Sequence, residues 1–318
     1  MAFVTLIAGL ILLVLAGDAL VRGAVSVAQR ANVPPIIIGL TVVAFGTSAP
    51  ELIVSVEAAF KGAPGLAIGN VVGSNITNIL LVLGLPAIIT PIALAESGIR
   101  RSTVFMILIS LGLAVMAMNG TISRLDGLFL ISLLVVYLAY SGFEATKASR
   151  TTDITHGLEE LAADTMGTKQ IVLLLGFGIV GLGLGGKMVT EGALDVAAML
   201  GIADTAVGLT IVALGTSLPE LATSLSAAIR KQNGVVIGNV LGSNIFNALG
   251  IIGITSMLVP LSVSQSIINF DMWVMLAVAL LMAPVAFLTR RVSRTGGAVM
   301  LLAYIVYTIV VFRNGMAI

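Results

Sequence analysis

Two glutamates stand where an apolar chain has no ordinary use for them. Glu51 lies in GTSAPELIVS (46–55) and Glu220 in GTSLPELATS (215–224). An ionised carboxylate in hydrocarbon costs about 3 kcal/mol or more, so both must face a polar interior. Pro50 and Pro219 lack an N–H and clash with the preceding turn, while Gly46 and Gly215 relax the backbone just before them. Together they predict broken helices with freed main-chain carbonyls, Ala44 and Ala213 being the expected donors. Unwound backbone is tolerated at membrane depth only where protein or a water-lined cavity receives it, and such carbonyls can ligate a cation.

Oxygen-bearing side chains surround each glutamate. Thr47, Ser48 and Ser55 flank Glu51, and Thr216, Ser217 and Ser224 repeat the pattern around Glu220. A second pair of blocks, GNVVGSNITN (69–78) and GNVLGSNIFN (238–247), supplies Asn70, Ser74, Asn75 and Asn78, then Asn239, Ser243, Asn244 and Asn247. Ser74 and Asn78 are four apart and share one helix face, as do Ser243 and Asn247. The chain has no Cys, and its one His, His156, falls in a polar loop. Two carboxylates with hydroxyls, amides and carbonyls form a hard-cation set, suited to Ca²⁺ or Na⁺ rather than zinc or copper. For any single Ser or Asn, two plainer readings stay open: close helix packing or bonding to its own helix backbone. The glutamates differ, because a structural carboxylate needs a basic partner and these segments' interiors hold no Lys or Arg.

The elements that must position these residues follow from composition. Of 318 residues, 58% are hydrophobic and only 10% charged, with a net charge of +1. That excludes an ordinary soluble domain, and nothing points to a nucleic-acid partner. Apolar stretches recur from end to end, so the surroundings are a lipid bilayer. Ten spans of roughly bilayer length are expected: 3–28, 35–60, 65–90, 102–118, 124–142, 170–198, 204–229, 234–259, 270–289 and 296–313. The first lacks a basic leader and a cleavage site, so it is expected to be retained as a helix. The polar stretch 143–169 divides the chain into halves, 1–142 and 170–318.

The halves are copies. Residues 39–52 match 208–221 at 11 of 14 positions, and 69–80 match 238–249 at 9 of 12, both at an offset of 169. With five spans per half, the second must enter the membrane the other way round. The expected fold is therefore all-α, ten transmembrane helices in two inverted five-helix repeats. Basic residues orient it. With both termini outside, inside loops hold Arg30, Arg100, Arg101, Lys147, Arg150, Lys169, Arg230, Lys231, Arg290, Arg291 and Arg294, against Lys61, Arg124 and Arg313 outside, 11 to 3. This obeys the positive-inside rule and makes 143–169 a cytoplasmic linker.

Other intramembrane charges read as structural. Asp18 with Arg22, and Lys187 with Glu191, are spaced i,i+4 and can neutralise each other on one helix face. Glu57, near the outer end of its helix, fits a solvated vestibule. GLGLGGK (181–187) lacks the spacing and the preceding strand of a phosphate loop.

The paired GTSAPE/GTSLPE and GNVVGSNITN/GNVLGSNIFN motifs resemble the two alpha-repeats of the calcium/cation antiporter superfamily, most nearly its sodium/calcium exchanger branch. The resemblance covers essentially the whole chain. It implies a central diamond of ligands, Glu51, Asn78, Glu220 and Asn247. It implies flanking sodium sites from Thr47, Ser48, Ser74, Thr216, Ser217 and Ser243, with carbonyls of Ala44 and Ala213. Proton/calcium members place Glu where this chain has Gly73 and Gly242, and exchangers of the sodium branch typically carry Asp at the position of Asn247. The expectation is a multi-pass cell-membrane antiporter, functional as a monomer, without a cofactor, exporting Ca²⁺ against entering Na⁺. Helix 1 and its repeat partner would slide across the other eight, and the family implies three Na⁺ per Ca²⁺. A proton-driven divalent-cation antiporter and a cation channel are the alternatives. An enzyme is not expected, for lack of a nucleophile–base pair.

Overall fold

The computed structural model describes residues 2–31, 35–95, 98–151, 166–199 and 213–316. Helix α1 (Ala2–Ala31) is followed by a broken span: α2 (Pro35–Ile38), a π-helical turn Gly39–Val43, α3 (Ala44–Thr47) and α4 (Ala49–Phe60). Next, α5 (Pro64–Thr77) runs through a π-helical segment Asn78–Leu83 into α6 (Gly84–Ile89). Strand β1 (Ile92–Ala93), α7 (Ile99–Ala117), β2 (Thr121–Ile122) and α8 (Arg124–Thr151) complete the first half.

The second half repeats the order. It comprises α9 (Thr168–Met199), α10 (Ala213–Thr216), α11 (Leu218–Ile229), α12 (Asn233–Phe246), a π-helical turn Asn247–Ile251 and α13 (Ile252–Leu258). Then come β3 (Leu261–Ser262), a π-helical turn Ile267–Asp271, α14 (Met272–Pro284), a π-helical turn Val285–Thr289, β4 (Arg291–Val292) and α15 (Arg294–Met316). Adding 169 to the bounds of α4, α5 and β1 returns those of α11, α12 and β3.

Among the described residues, eight helices are long and apolar enough to cross a membrane, or nine when the bent pair Ile36–Thr47 and Ala49–Phe60 counts as one. The expected span 204–229 falls partly outside the described residues, as does His156. Helix extends into both ends of the stretch 143–169: α8 continues to Thr151, and α9 begins at Thr168.

Burial divides the helices into two shells. The helices carrying the Gly-Asn blocks, α5–α6 and α12–α13, are the most enclosed, whereas α15 is mostly exposed. Exposed apolar side chains such as Leu125, Val136, Leu173, Trp273 and Leu302 lie on the outer helices, a surface that suits lipid rather than water. The inner helices approach closely because their contact faces are glycine. A Cβ on Gly238 would sit 2.6 Å from the Ile36 carbonyl oxygen and 2.8 Å from Gly39 Cα. Helix α1 lies antiparallel along its repeat mate α9: Gly178 faces Leu20, Gly181 faces Ala16 and Gly185 faces Leu13.

Two short antiparallel strand pairs tie the ends of the bundle. Ile92 pairs with Val292, and Ile122 with Leu261. Strands β1 and β2 flank the 19-residue α7, which is about 28 Å long at 1.5 Å per residue. The two pairs therefore lie at opposite ends of one membrane-crossing helix.

Candidate functional site

The predicted break occurs at Ser48, whose φ/ψ of −85°/8° departs from the helix, and at Ser217 with −85°/2°. The first break bends its span by 44°. Proline stands in the first turn of each following helix, where its missing N–H costs no bond. The Ala44 carbonyl is nevertheless still engaged: it accepts the Ser48 N–H at 3.0 Å and lies 3.3 Å from the Thr47 hydroxyl. The break thus turns the chain without stripping that oxygen, which keeps one lone pair at most for a cation. Ala213 opens α10 at the equivalent place.

Both glutamates are fully buried, and each is served by the opposite repeat. Ser48 Oγ donates to Glu220 Oε1 at 2.8 Å, and Ser217 Oγ approaches Glu51 Oε1 at 3.5 Å. Ser74 also reaches Glu51 Oε1 at 3.5 Å and lies 3.1 Å from Ser217 Oγ. The asparagines of the Gly-Asn blocks brace the breaks in the same crossed fashion. Asn70 Nδ2 donates to the Glu51 carbonyl (3.3 Å) and Ser55 (3.0 Å), while its Oδ1 accepts from Thr216 at 3.3 Å. Asn239 does the same for the Glu220 carbonyl (3.2 Å) and Ser224 (3.0 Å), accepting from Thr47 at 3.2 Å. Thr47 and Thr216, expected as cation ligands, are thus committed to asparagines in this conformation.

Buried polar atoms normally find a partner, so those left over mark where the site is aimed. Among the described residues, ten buried side-chain atoms lack a hydrogen-bond partner: six are Glu51 Oε2, Glu220 Oε2, both amide atoms of Asn78, Asn247 Oδ1 and Ser243 Oγ, and the other four are scattered over Thr103, Thr223, Asn233 and Thr255. The four diamond residues and Ser243 therefore share one property, unused oxygen in a closed interior. No group of three His, Cys, Asp or Glu converges among the described residues, so two carboxylates supply all the negative charge and neutral oxygens the rest. Such a donor set fits a hard cation.

Two features escape the sequence reading. The π-helical segments begin at Asn78 and Asn247 themselves, widening the helix where these candidate amides sit; π-bulges recur at functional positions. Asn75 also orients a neighbour. Asn247 Nδ2 donates to Asn75 Oδ1 at 3.1 Å and Ser74 Oγ at 3.2 Å, which points the amide oxygen of Asn247 away from both. The repeat mate Asn244 instead bonds its own helix at the Val240 carbonyl, 2.7 Å away. No spacing rule signals such cross-helix contacts.

The peripheral charges divide. Lys187 and Glu191 lie 3.7 Å apart as expected, and Glu57 bonds Lys61 at 2.6 Å, all largely exposed. Asp18, however, accepts from Arg230 Nε at 2.6 Å on α11's far end, not from Arg22. Helix packing brings a guanidinium fork to the carboxylate, a better match than a neighbour on the same helix.

Comparison with known proteins agrees with this picture. A family model described as sodium/calcium exchanger protein matches residues 1–143 and 170–313. CaxA of Alkalimonas amylolytica is 37% identical over 98% of this chain and 99% of its own. The sodium/calcium exchanger MaX1 of Methanosarcina acetivorans is 31% identical over 98% of each. A solved structure of the sodium-calcium exchanger NCX_Mj matches with a TM-score of 0.83 at 35% identity, covering 96% of both chains. With matches across both halves and many apolar spans, the chain is a multi-pass membrane protein and belongs to the sodium/calcium exchanger family.

Proposed function

We propose that this chain is a secondary antiporter that exports Ca²⁺ in exchange for entering Na⁺, by alternating access and without covalent chemistry. The observation that carries the reading is the buried pair Glu51 and Glu220, each bonded or approached by a serine of the opposite repeat and each keeping one unpartnered oxygen. Asn78, Asn247 and Ser243 add neutral oxygens, and Ser48, Ser74 and Ser217 are released to ligate when a cation takes over the carboxylates. Thr47, Thr216 and the carbonyls of Ala44 and Ala213 complete the flanking Na⁺ sites once the asparagine contacts loosen. Two carboxylates cannot neutralise a Ca²⁺ and a Na⁺ load together, so the ions bind in turn and their fluxes couple.

The fold we assign is ten crossings in two inverted repeats, 1–142 and 170–318, joined by the linker 143–169. Antiparallel packing of α1 against α9 supports the inversion, since repeat mates side by side run in opposite directions. Strand pairing supports the count. Ile122 and Leu261 share one end of the bundle, so the chain between them crosses an even number of times. Helix α8, helix α9 and the span α12–α13 make three, and the segment ending in α11 supplies the fourth. Both termini then face outward by the basic-residue bias, and α1 with α9 is the moving pair. One copy contains the complete ligand set, which supports a functional monomer.

The test is Ca²⁺ uptake into vesicles loaded with Na⁺ or choline. Uptake with Na⁺ inside and little with choline is expected. Equal proton-driven uptake in choline would transfer the case to a proton antiporter, and uncoupled flux to a channel.

A further inference from the structure

The offset of 169 carries α1 onto α9 and α4 onto α11. It makes repeat mates of Asp18 and Lys187, Arg22 and Glu191, Glu57 and Ser226, and Lys61 and Arg230. The structure treats the two sets unequally. On one side α1 is docked on α11: a Cβ on Gly17 would meet the carbonyl carbon and oxygen of Ala222 at 3.1 Å, and Arg230 reaches across to Asp18. The mates of Gly17 and Ala222 are Gly186 and Ile53. Ile53 is 64% exposed, and the atoms nearest a Cβ on Gly186 belong to Pro219 and Gly215. Helix α9 therefore does not cover α4 as α1 covers α11. On that side each ion pair stays within one helix, Lys61 with Glu57 and Lys187 with Glu191, and holds no helices together.

We infer that these charges are two alternative latches, one for each closed face of the transporter; the inference rests on the alternating-access reading. Asp18–Arg230 holds the face that is closed here. When the faces exchange, repeat symmetry brings Lys187 and Lys61 as near as Asp18 and Arg230 are now. Two ammonium groups there repel, unless the carboxylates turn crosswise, Glu57 to Lys187 and Glu191 to Lys61. This explains why Glu57 and Glu191 exist although their mates are Ser226 and Arg22. The first latch is one cross-helix pair; the second needs two carboxylates because both of its repeat-equivalent positions are basic. Exposed pairs are individually weak, as a contact that must release in every cycle requires.

The chain contains no Cys, so paired thiols can be introduced cleanly. In the Asp18→Cys/Arg230→Cys variant a short bis-methanethiosulfonate should bridge the two thiols, which lie too far apart for a direct disulfide, and should stop Ca²⁺ flux until the bridge is reduced. The same reagent should bridge the Lys61→Cys/Lys187→Cys variant, trapping the opposite face. Adding Asp18→Asn to the second variant removes the first latch and should speed its cross-linking about two- to fivefold, the range an exposed pair supplies. Flux unaffected by the first bridge, no bridge between positions 61 and 187 under any Na⁺ or Ca²⁺ condition, or a cross-linking rate unmoved by Asp18→Asn would each overturn the proposal. Cross-linking is read on a gel after cleavage at a protease site introduced between positions 151 and 166, where only bridged halves stay together, and it needs no ion flux. Bridges that form in these variants, when vesicles of the Cys-free chain show no Na⁺-driven uptake, would therefore fault the choice of ions, not the latches.

Discussion

Replacing Glu51 by Gln separates a ligand from a structural residue. The variant keeps volume and shape but leaves the site with one negative charge. A carboxylate oxygen about 2.4 Å from Ca²⁺, at an effective dielectric of about 20, contributes about 14 kcal/mol of Coulomb attraction, and about half that for Na⁺. Most is offset by ion dehydration and by relief of repulsion between two buried carboxylates. If a third survives as net loss, Ca²⁺ binding weakens by roughly 4–5 kcal/mol, more than a thousandfold in Kd. The ion-free protein responds in the other direction. Glu51 is fully buried with Oε2 unpartnered, so removing its charge relieves a desolvation cost. Na⁺-driven Ca²⁺ uptake should fall to about 1% of wild type or less by the free-energy loss above. The Ca²⁺-induced rise in Tm should vanish with it, because stabilisation by a ligand scales with its occupancy, while the ion-free Tm holds or rises. A variant that keeps wild-type uptake, or that loses ion-free stability yet retains the Ca²⁺-induced shift, would refute the assignment and make Glu51 structural.

Thiols introduced singly as Lys61→Cys and Lys231→Cys, nearly equivalent in the repeat, should react with an impermeant maleimide from opposite sides of the membrane; labelling from one side would reject inversion. On the proposed reading, with Asn at 247 two glutamates set the charge of the site, so Ca²⁺ would neutralise it and three Na⁺ would leave it positive. Uptake into Na⁺-loaded vesicles should therefore accelerate when the inside is positive, each charge being worth about 2.3 kcal/mol per 100 mV, and voltage-independent uptake would reject that count. Asn75→Ala should free the Asn247 amide and weaken Ca²⁺ binding about five- to thirtyfold, on the scale of one or two lost hydrogen bonds; an unchanged Kd would show that Asn247 is held otherwise. Gly238→Ala presses a methyl group onto the Ile36 backbone and should cost about 1–3 kcal/mol of stability, seen as a lower Tm, whereas Gly183→Ala, with open space around it, should not.

Much of the candidate site was legible in the chain because of expense. A Glu in an apolar span has to be solvated by something, so the hydroxyls and amides near Glu51 and Glu220 could be named from composition and spacing. The duplicated blocks likewise announced two halves, and an i,i+4 spacing placed Ser74 with Asn78 on one helix face. What spacing cannot carry is the partner across the bundle. Only the packed helices show that Ser48 serves Glu220 rather than its neighbour Glu51, that Asn75 orients Asn247, and that Asp18 takes Arg230 over Arg22. Local bonding likewise decided that the Ala44 carbonyl stays engaged at the break and that the helices widen into π-turns at Asn78 and Asn247. Periodicity determines which residues share a face of one helix. Which face meets which is decided by close packing at glycines such as Gly39 and Gly238, between positions far apart in the chain, where the free energy belongs to the contact and to neither segment alone.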